Sequence, residues 1–171
     1  MSNPSLTLNQ TILTGGSQGG LHINSATALV QASTVTQNTG GGINNACGSL
    51  SLLNSTVSYN TSDSAWGGGG VFLWGFSCAP GMPTANISFS TIFENSNVGW
   101  GRGNAIGTAY VVSPGGVFLK NSILASPSHP SEAVCNKRRR DTVLARSQHT
   151  RRRYGRIRLQ VLAKRLQRPE I

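Results

Sequence analysis

One motif recurs five times in this chain, and that recurrence constrains the fold more than any composition does. The segments are QTILTGG (10–16), ASTVTQN (32–38), NSTVSYN (54–60), FSTIFEN (89–95) and NSILASP (121–127). Aligned on one aliphatic position, they give a column of Leu13, Val35, Val57, Ile92 and Leu124. Two residues earlier stand Thr11, Ser33, Ser55, Ser90 and Ser122. Five earlier stand Leu8, Val30, Leu52, Ile87 and Leu119, and seven earlier Leu6, Ala28, Leu50, Ala85 and Val117. Three later, the middle copies carry Asn38, Asn60 and Asn95. Successive copies lie 22, 22, 35 and 32 residues apart. Self-similarity at a period of about 20–50 residues is the signature of a stacked repeat architecture.

Within one repeat, the columns at minus seven and minus five alternate as a strand with one buried face does. The columns at minus two and zero are out of phase with them, which predicts a bend near minus four to minus three. A second run follows each glycine cluster: GGLHI (19–23), GGGIN (40–44), GGGGVFLW (67–74) and GNAIG (103–107). These runs are rich in Val, Ile, Leu and Thr, and turn residues separate them, so each repeat reads as short strands joined by Gly/Asn/Ser turns. Stacking would place each strand about 4.8 Å from its copy in the next repeat. A single repeat cannot bury its aliphatic column, but a stack can. Asn38, Asn60 and Asn95 are expected to form an amide stack at one corner, since asparagine tolerates the left-handed turn region and bonds to its neighbour. Ser33, Ser55, Ser90 and Ser122 are expected to form an inward hydroxyl stack. The sequons at Asn9, Asn54, Asn60 and Asn86 read as by-products of a repeat rich in Asn, Ser and Thr.

Repeats of the form L-x-L-x-N-S-T-[VI]-x-x-N followed by a glycine cluster resemble bacterial right-handed parallel β-helix repeat proteins, of the polymorphic outer-membrane and secreted surface type within the pectin-lyase-like superfold. The resemblance covers residues 5–126, and LSLLNSTVSYN (50–60) and VFLKNSIL (117–124) carry it best. It implies an all-β, right-handed parallel β-helix of about five coils. It also implies an extracellular or cell-surface protein, acting as a structural or adhesive segment. The first rung begins at Leu6 with no cap or signal peptide before it. The expectation is a piece of a longer exported chain, with uncapped ends open to end-to-end self-association.

The net charge of +10 is unevenly placed. Residues 1–135 hold Arg102 and Lys120 against Asp63, Glu94 and Glu132, whereas 136–171 hold thirteen Lys/Arg against Asp141 and Glu170. This break predicts a repeat domain over 1–135 and an Arg-rich tail over 136–171, disordered or partly helical. Three readings of the tail stand open. Arginine clusters can neutralise phosphates of a nucleic acid. Leu159, Leu162, Ala163 and Leu166 fall on one helical stripe with Arg158, Lys164, Arg165 and Arg168 off it, which suits an anionic surface. Arginine codons shifted by one base also encode Gly, Ala, Val, Asp or Glu, so the tail can be a repeat continuation read in a shifted frame.

Glycan hydrolysis or elimination needs paired carboxylates, or acidic calcium ligands beside a base. Asp63, Glu94 and Glu132 occupy unmatched positions, and His22 has no visible partner, so no catalytic residue, metal or cofactor is assigned and the chain reads as non-enzymatic. The binding alternative is aromatic. Trp66 and Trp100 fall in matching loops, SAWGGGG and VGWGRGN, and with Arg102 they form a candidate carbohydrate platform. The competing reading has each indole covering its own loop. Trp74 and Phe76 read as shields of a repeat edge or of the inserted loop. Cys47 and Cys78 each follow a glycine-rich strand and are a candidate disulfide, with Cys135 left over. No run of apolar residues is long enough to cross a membrane.

Overall fold

The computed structural model describes residues 4–63, 67–79, 81–99, 103–125, 135–136 and 143–146. Among them every regular element is a β-strand. The strands sort into three parallel sheets, one for each segment of the repeat. The first holds Ser5–Asn9, Thr27–Gln31, Ser49–Leu53, Thr84–Ser88, Gly116–Lys120 and Val143–Arg146. The second holds the rung motif itself: Ile12–Thr14, Thr34–Thr36, Thr56–Ser58, Thr91–Phe93 and Ile123–Leu124. The third is built from the runs after the glycine clusters: Leu21–Asn24, Ile43–Ala46, Val71–Trp74, Ile106–Ala109 and Cys135–Asn136. A short pair, Thr61–Ser62 with Ser96–Asn97, extends the corner between the second and third.

Register follows the sequence columns. Leu6, Ala28, Leu50, Ala85 and Val117 are successive partners in the first sheet, and so are Leu8, Val30, Leu52, Ile87 and Leu119. Leu13, Val35, Val57, Ile92 and Leu124 pair likewise in the second. The third adds Leu21, Ile43, Val71 and Ile106. Apart from Leu6, which is exposed, these columns form one core running through the stack, with Leu8, Leu13 and Leu124 partly buried. Each interior repeat therefore packs its aliphatic side chains on copies above and below, burial that one repeat could not reach alone.

The bend predicted near minus three is a single left-handed residue. Gln10, Ala32, Asn54, Phe89 and Asn121 hold φ between 48° and 51° at that position in all five copies. A second left-handed residue follows the rung, at Gln37, Tyr59 and Glu94. Each one resets the in–out alternation, so the next side chain points inward: serine after the first corner, asparagine after the second. The sequence reading gave the left-handed conformation to the asparagines; it belongs instead to the residue before each of them. Glu94 accordingly sits at a corner, matching Gln37 and Tyr59.

A corner also leaves the following N–H out of the strand ladder, and a buried N–H without a partner is costly. The next repeat supplies the acceptor. Thr11 N–H donates to Ser33 Oγ, Ser33 to Ser55, Ser55 to Ser90 and Ser90 to Ser122, at 3.1–3.2 Å. At the second corner Gly16 N–H donates to Asn38 Oδ1, Asn38 to Asn60 Oδ1 and Asn60 to Asn95 Oδ1. The asparagine amide groups donate as well: Asn38 Nδ2 to Asn60 Oδ1 at 2.8 Å, and Asn60 Nδ2 to Asn95 Oδ1 at 2.9 Å. Each amide also reaches back to a carbonyl of the previous repeat, at Leu13, Val35 or Val57. No buried side-chain polar atom among the described residues lacks a partner.

Glycine is required where the third sheet begins, because that stretch crosses directly over the asparagine ladder. A Cβ on Gly42 would lie 2.5 Å from the Gly70 carbonyl oxygen and 2.9 Å from Asn60 Nδ2. The stacking also continues past the break in charge at residue 135. Cys135–Asn136 pairs with Ile106 and Gly107, and Val143–Arg146 pairs with Val117 to Lys120. The basic segment thus contributes a strand, with Val143 in register with Val117 and Ala145 with Leu119. The remainder of 136–171, including the helical stripe at 159–166, lies outside the described residues.

Two variants probe these corners by chemical denaturation. Asn60→Ala removes the acceptor of Asn38 N–H and the donors to Val35 and Asn95 at a site 0% exposed, and should lower stability by about 3–5 kcal/mol. Phe89→Gly relieves a left-handed aromatic that is 55% exposed and should be neutral or stabilising, by up to about 1 kcal/mol.

Candidate functional site

The interior of the stack is committed to self-packing, so recognition must use an outer face. The outer face of the third sheet is where the columns depart furthest from repetition. One outward column runs His22, Asn44, Phe72, Gly107; the next runs Asn24, Ala46, Trp74, Ala109. Strand alternation puts these side chains opposite Leu21, Ile43, Val71 and Ile106, which are buried in the core.

Of these, His22, Asn24, Asn44, Ala46, Phe72 and Trp74 line an open groove of about 380 Å³. Gln18, Gly40 and Gly67 complete its rim. His22 Nε2 lies 2.5 Å from the Gln18 carbonyl oxygen and 3.2 Å from Asn44 Nδ2. Asn44 Nδ2 also donates to the Gly40 carbonyl at 3.1 Å. The Gln18 carbonyl can only accept, so Nε2 carries the proton; one amide proton of Asn44 is engaged by Gly40, and its Oδ1 faces no donor among the described residues. Phe72 lies against Gly107, where a Cβ would come within 3.3 Å of the ring. Trp74 stands in its column between two alanines, Ala46 and Ala109. A large ring flanked by methyl-sized neighbours has room to lie along the sheet.

The rings form one aromatic cluster. Phe72 and Trp74 have centroids 6.1 Å apart, Trp74 and Tyr110 meet edge-on at 5.3 Å, and Phe76 joins both at 6.2 and 5.3 Å. Phe76 and Tyr110 remain 58% and 38% exposed. Trp74 projects from this outer face and packs on Phe76 in the inserted loop, which is compatible with the expected shielding of that loop. His22 was expected to stand without a partner; its Nε2 bonds the Gln18 carbonyl, and Asn44, one repeat on in sequence, lies beside it.

Among the residues singled out from sequence, Ser33, Ser55, Ser90 and Ser122 meet in one ladder, and Asn38, Asn60 and Asn95 in another. Trp66, Trp100 and Arg102 lie outside the described residues, as does Glu132. Asp63 is exposed in a loop, and Asn60, one of the sequon asparagines, is fully buried. No cluster of three His, Cys, Asp or Glu side chains able to hold a metal occurs among the described residues. None of their helices is long and apolar enough to cross a membrane. Asn45, which sequence reasoning passed over, is an interior amide in a column with Ile23, Leu73 and Thr108. It accepts from Gly48 N–H and donates to the Gly48 and Thr84 carbonyls, closing the corner beside the groove.

Cys47 and Cys78 form a disulfide with Cα atoms 5.1 Å apart. Cys47 follows Ala46 at a left-handed corner, and Cys78 lies in the loop that carries Phe76. The bond ties that loop to the repeat beneath it, next to the aromatic cluster. Comparison with family models, with curated proteins and with solved structures gives no match for this chain.

The disulfide spans a sequence separation of 31, for which chain-entropy arguments give about 3–4 kcal/mol. Reduction, or the double substitution Cys47→Ala, Cys78→Ala, should lower the denaturation midpoint accordingly. The first measurable loss of order should be proteolytic cleavage within 75–83.

Proposed function

We propose that this chain is a segment of a right-handed parallel β-helix, of the secreted or cell-surface bacterial kind, and that it acts without catalysis as a structural or adhesive stalk. The observation that carries this reading is the unbroken register of the three sheets. Columns seven, five and zero stay paired from repeat to repeat even where the sequence spacing grows from 22 to 35 residues. A rod whose inner columns absorb insertions without slipping suits a spacer that displays loops on its outside. The right hand follows from the general handedness of connections between parallel strands. The Cys47–Cys78 bond suits an oxidising compartment outside the cytoplasm.

The surface chemistry supports display over turnover. The outer face offers amides, an imidazole and aromatic rings. The described carboxylates, Asp63 and Glu94, stand at unmatched positions of the repeat, one in a loop and one at a corner. Glycans or other ligands of a cell surface are the partners such a face would meet.

Incubation with neutral and acidic polysaccharides should release neither reducing ends nor unsaturated uronides, while the immobilised protein retains a surface ligand. Turnover that disappears in Glu94→Gln or Asp63→Asn would overturn the non-enzymatic reading.

A further inference from the structure

We infer that the outer face of the third sheet is a binding site for a neutral glycan, with Trp74 as the stacking platform, backed by the buried ring of Phe72, and His22, Asn24 and Asn44 as the hydroxyl-reading groups. This deepens the adhesive reading and rests on it. The assignment uses none of Trp66, Trp100 and Arg102, which lie outside the described residues.

A sugar ring has two kinds of surface. Its axial C–H faces are apolar and slightly electropositive, and they stack on the electron-rich face of an aromatic ring. Its rim is a row of hydroxyls that donate and accept. The groove presents both in one place. Phe72 and Trp74 stand two residues apart on one strand, so both project from the same side of the sheet. Beside Phe72 in the same column lie Asn44 and His22, one and two strands away. Asn44 keeps Oδ1 as an acceptor and one amide proton as a donor, the other being held by the Gly40 carbonyl. His22 Nδ1 has no partner among the described residues, and Asn24 Nδ2 likewise.

Charge narrows the ligand further. None of the described residues that line the groove is Asp, Glu, Lys or Arg. A phosphate, sulfate or uronate ligand would lack a counter-charge in such a groove, whereas an uncharged hexose or N-acetylhexosamine would not. The volume of about 380 Å³ falls in the range of small-ligand sites, and the groove is open, so a chain can enter and leave along it. The ladder of His22, Asn44 and Phe72 repeats at the strand spacing of about 4.8 Å, so polar and aromatic groups contact successive parts of an extended ligand.

The test uses the full chain with the disulfide intact. Hexasaccharides of β-linked glucose, mannose and N-acetylglucosamine are titrated by calorimetry, with oligogalacturonate as the acidic comparator. At least one neutral hexasaccharide should bind, with an affinity that does not change between low and high salt. Trp74→Ala should weaken that binding by about tenfold or more, Trp74→Phe by less, and Asn44→Ala by about tenfold. The Trp74→Phe variant guards against misfolding, since it keeps an aromatic ring in the cluster and should keep the parent thermal midpoint. Absence of binding by the parent chain, or binding unchanged in Trp74→Ala, overturns the site. So does salt-sensitive binding of the acidic comparator alone, or self-association that Trp74→Ala abolishes while no sugar binds. Release of reducing ends from a bound hexasaccharide would instead overturn the non-enzymatic reading and leave the site standing.

Discussion

The structure depends on one small device: a left-handed residue followed by an inward side chain whose oxygen accepts a hydrogen bond from the previous repeat. Left-handed backbone is unfavourable for most side chains, yet alanine, glutamine, phenylalanine, tyrosine and glutamate all adopt it here. They persist because the corner is over-determined. The turn releases a backbone N–H from the strand ladder, and Ser Oγ or Asn Oδ1 from the next repeat receives it. The serine hydroxyl then donates to a carbonyl two residues back in its own repeat. The asparagine amide is longer and reaches a carbonyl in the preceding repeat. Both therefore tie two repeats together; the serine hydroxyl makes its shorter donation within its own repeat, whereas the asparagine amide donates across the gap at 2.8–3.2 Å.

Exact register imposes a second condition on every column: a residue must tolerate its own copy one strand away. Aliphatic side chains do so by packing. Hydroxyls and amides do so because each is both donor and acceptor. Charged groups do not, since like charges directly opposite repel. This explains why residues 1–135 carry only two cations and three carboxylates while 136–171 carry thirteen cations. Where the basic segment does join the first sheet, Arg146 comes into register with Lys120, a pairing that no earlier repeat contains. The residues in register with Val117 and Leu119 are nevertheless aliphatic, Val143 and Ala145.

Much of this was legible in the sequence because the device is local. The columns, the bend at minus three and the inward serines and asparagines all follow from five aligned copies. The left-handed residue itself was not legible, since the residues that adopt it share no chemistry; Ala32, Asn54 and Phe89 have only their place in common. The groove was missed for a different reason. Alignment on the rung motif leaves the glycine-rich strands unaligned wherever loops of unequal length intervene. His22 and Asn44 are one repeat apart and could have been paired by counting 22 residues. Phe72 could not, because it follows Asn44 by 28 residues. Only strand pairing puts the three in one column. The aromatic loops at Trp66 and Trp100 attracted notice because their matching positions made them look repetitive, whereas Trp74 matters because it breaks its column.

That break falls in the repeat that is 35 residues long, 13 more than the minimal 22. Its inner positions still pair without a slip, Ala85 with Leu50 and Ile87 with Leu52. The extra residues therefore fall between strands in sequence, before Val71–Trp74 and between it and Thr84–Ser88. Lengthening a surface loop costs little free energy, because closure entropy grows only with the logarithm of its length. It does leave the loop free to move, and a recognition surface built on a moving loop loses affinity to ordering. Both problems are met on the same strand. Phe72 and Trp74 stand on the sheet itself, fixed by its hydrogen bonds, and the loop that continues to Phe76 is fastened by Cys78 to the corner at Cys47. The repeat that departs from the pattern is thus also the one with a covalent tie. A departure that had only to be tolerated would need neither the small residues flanking Trp74 nor a disulfide beside it; a surface that must hold its shape for a ligand needs both.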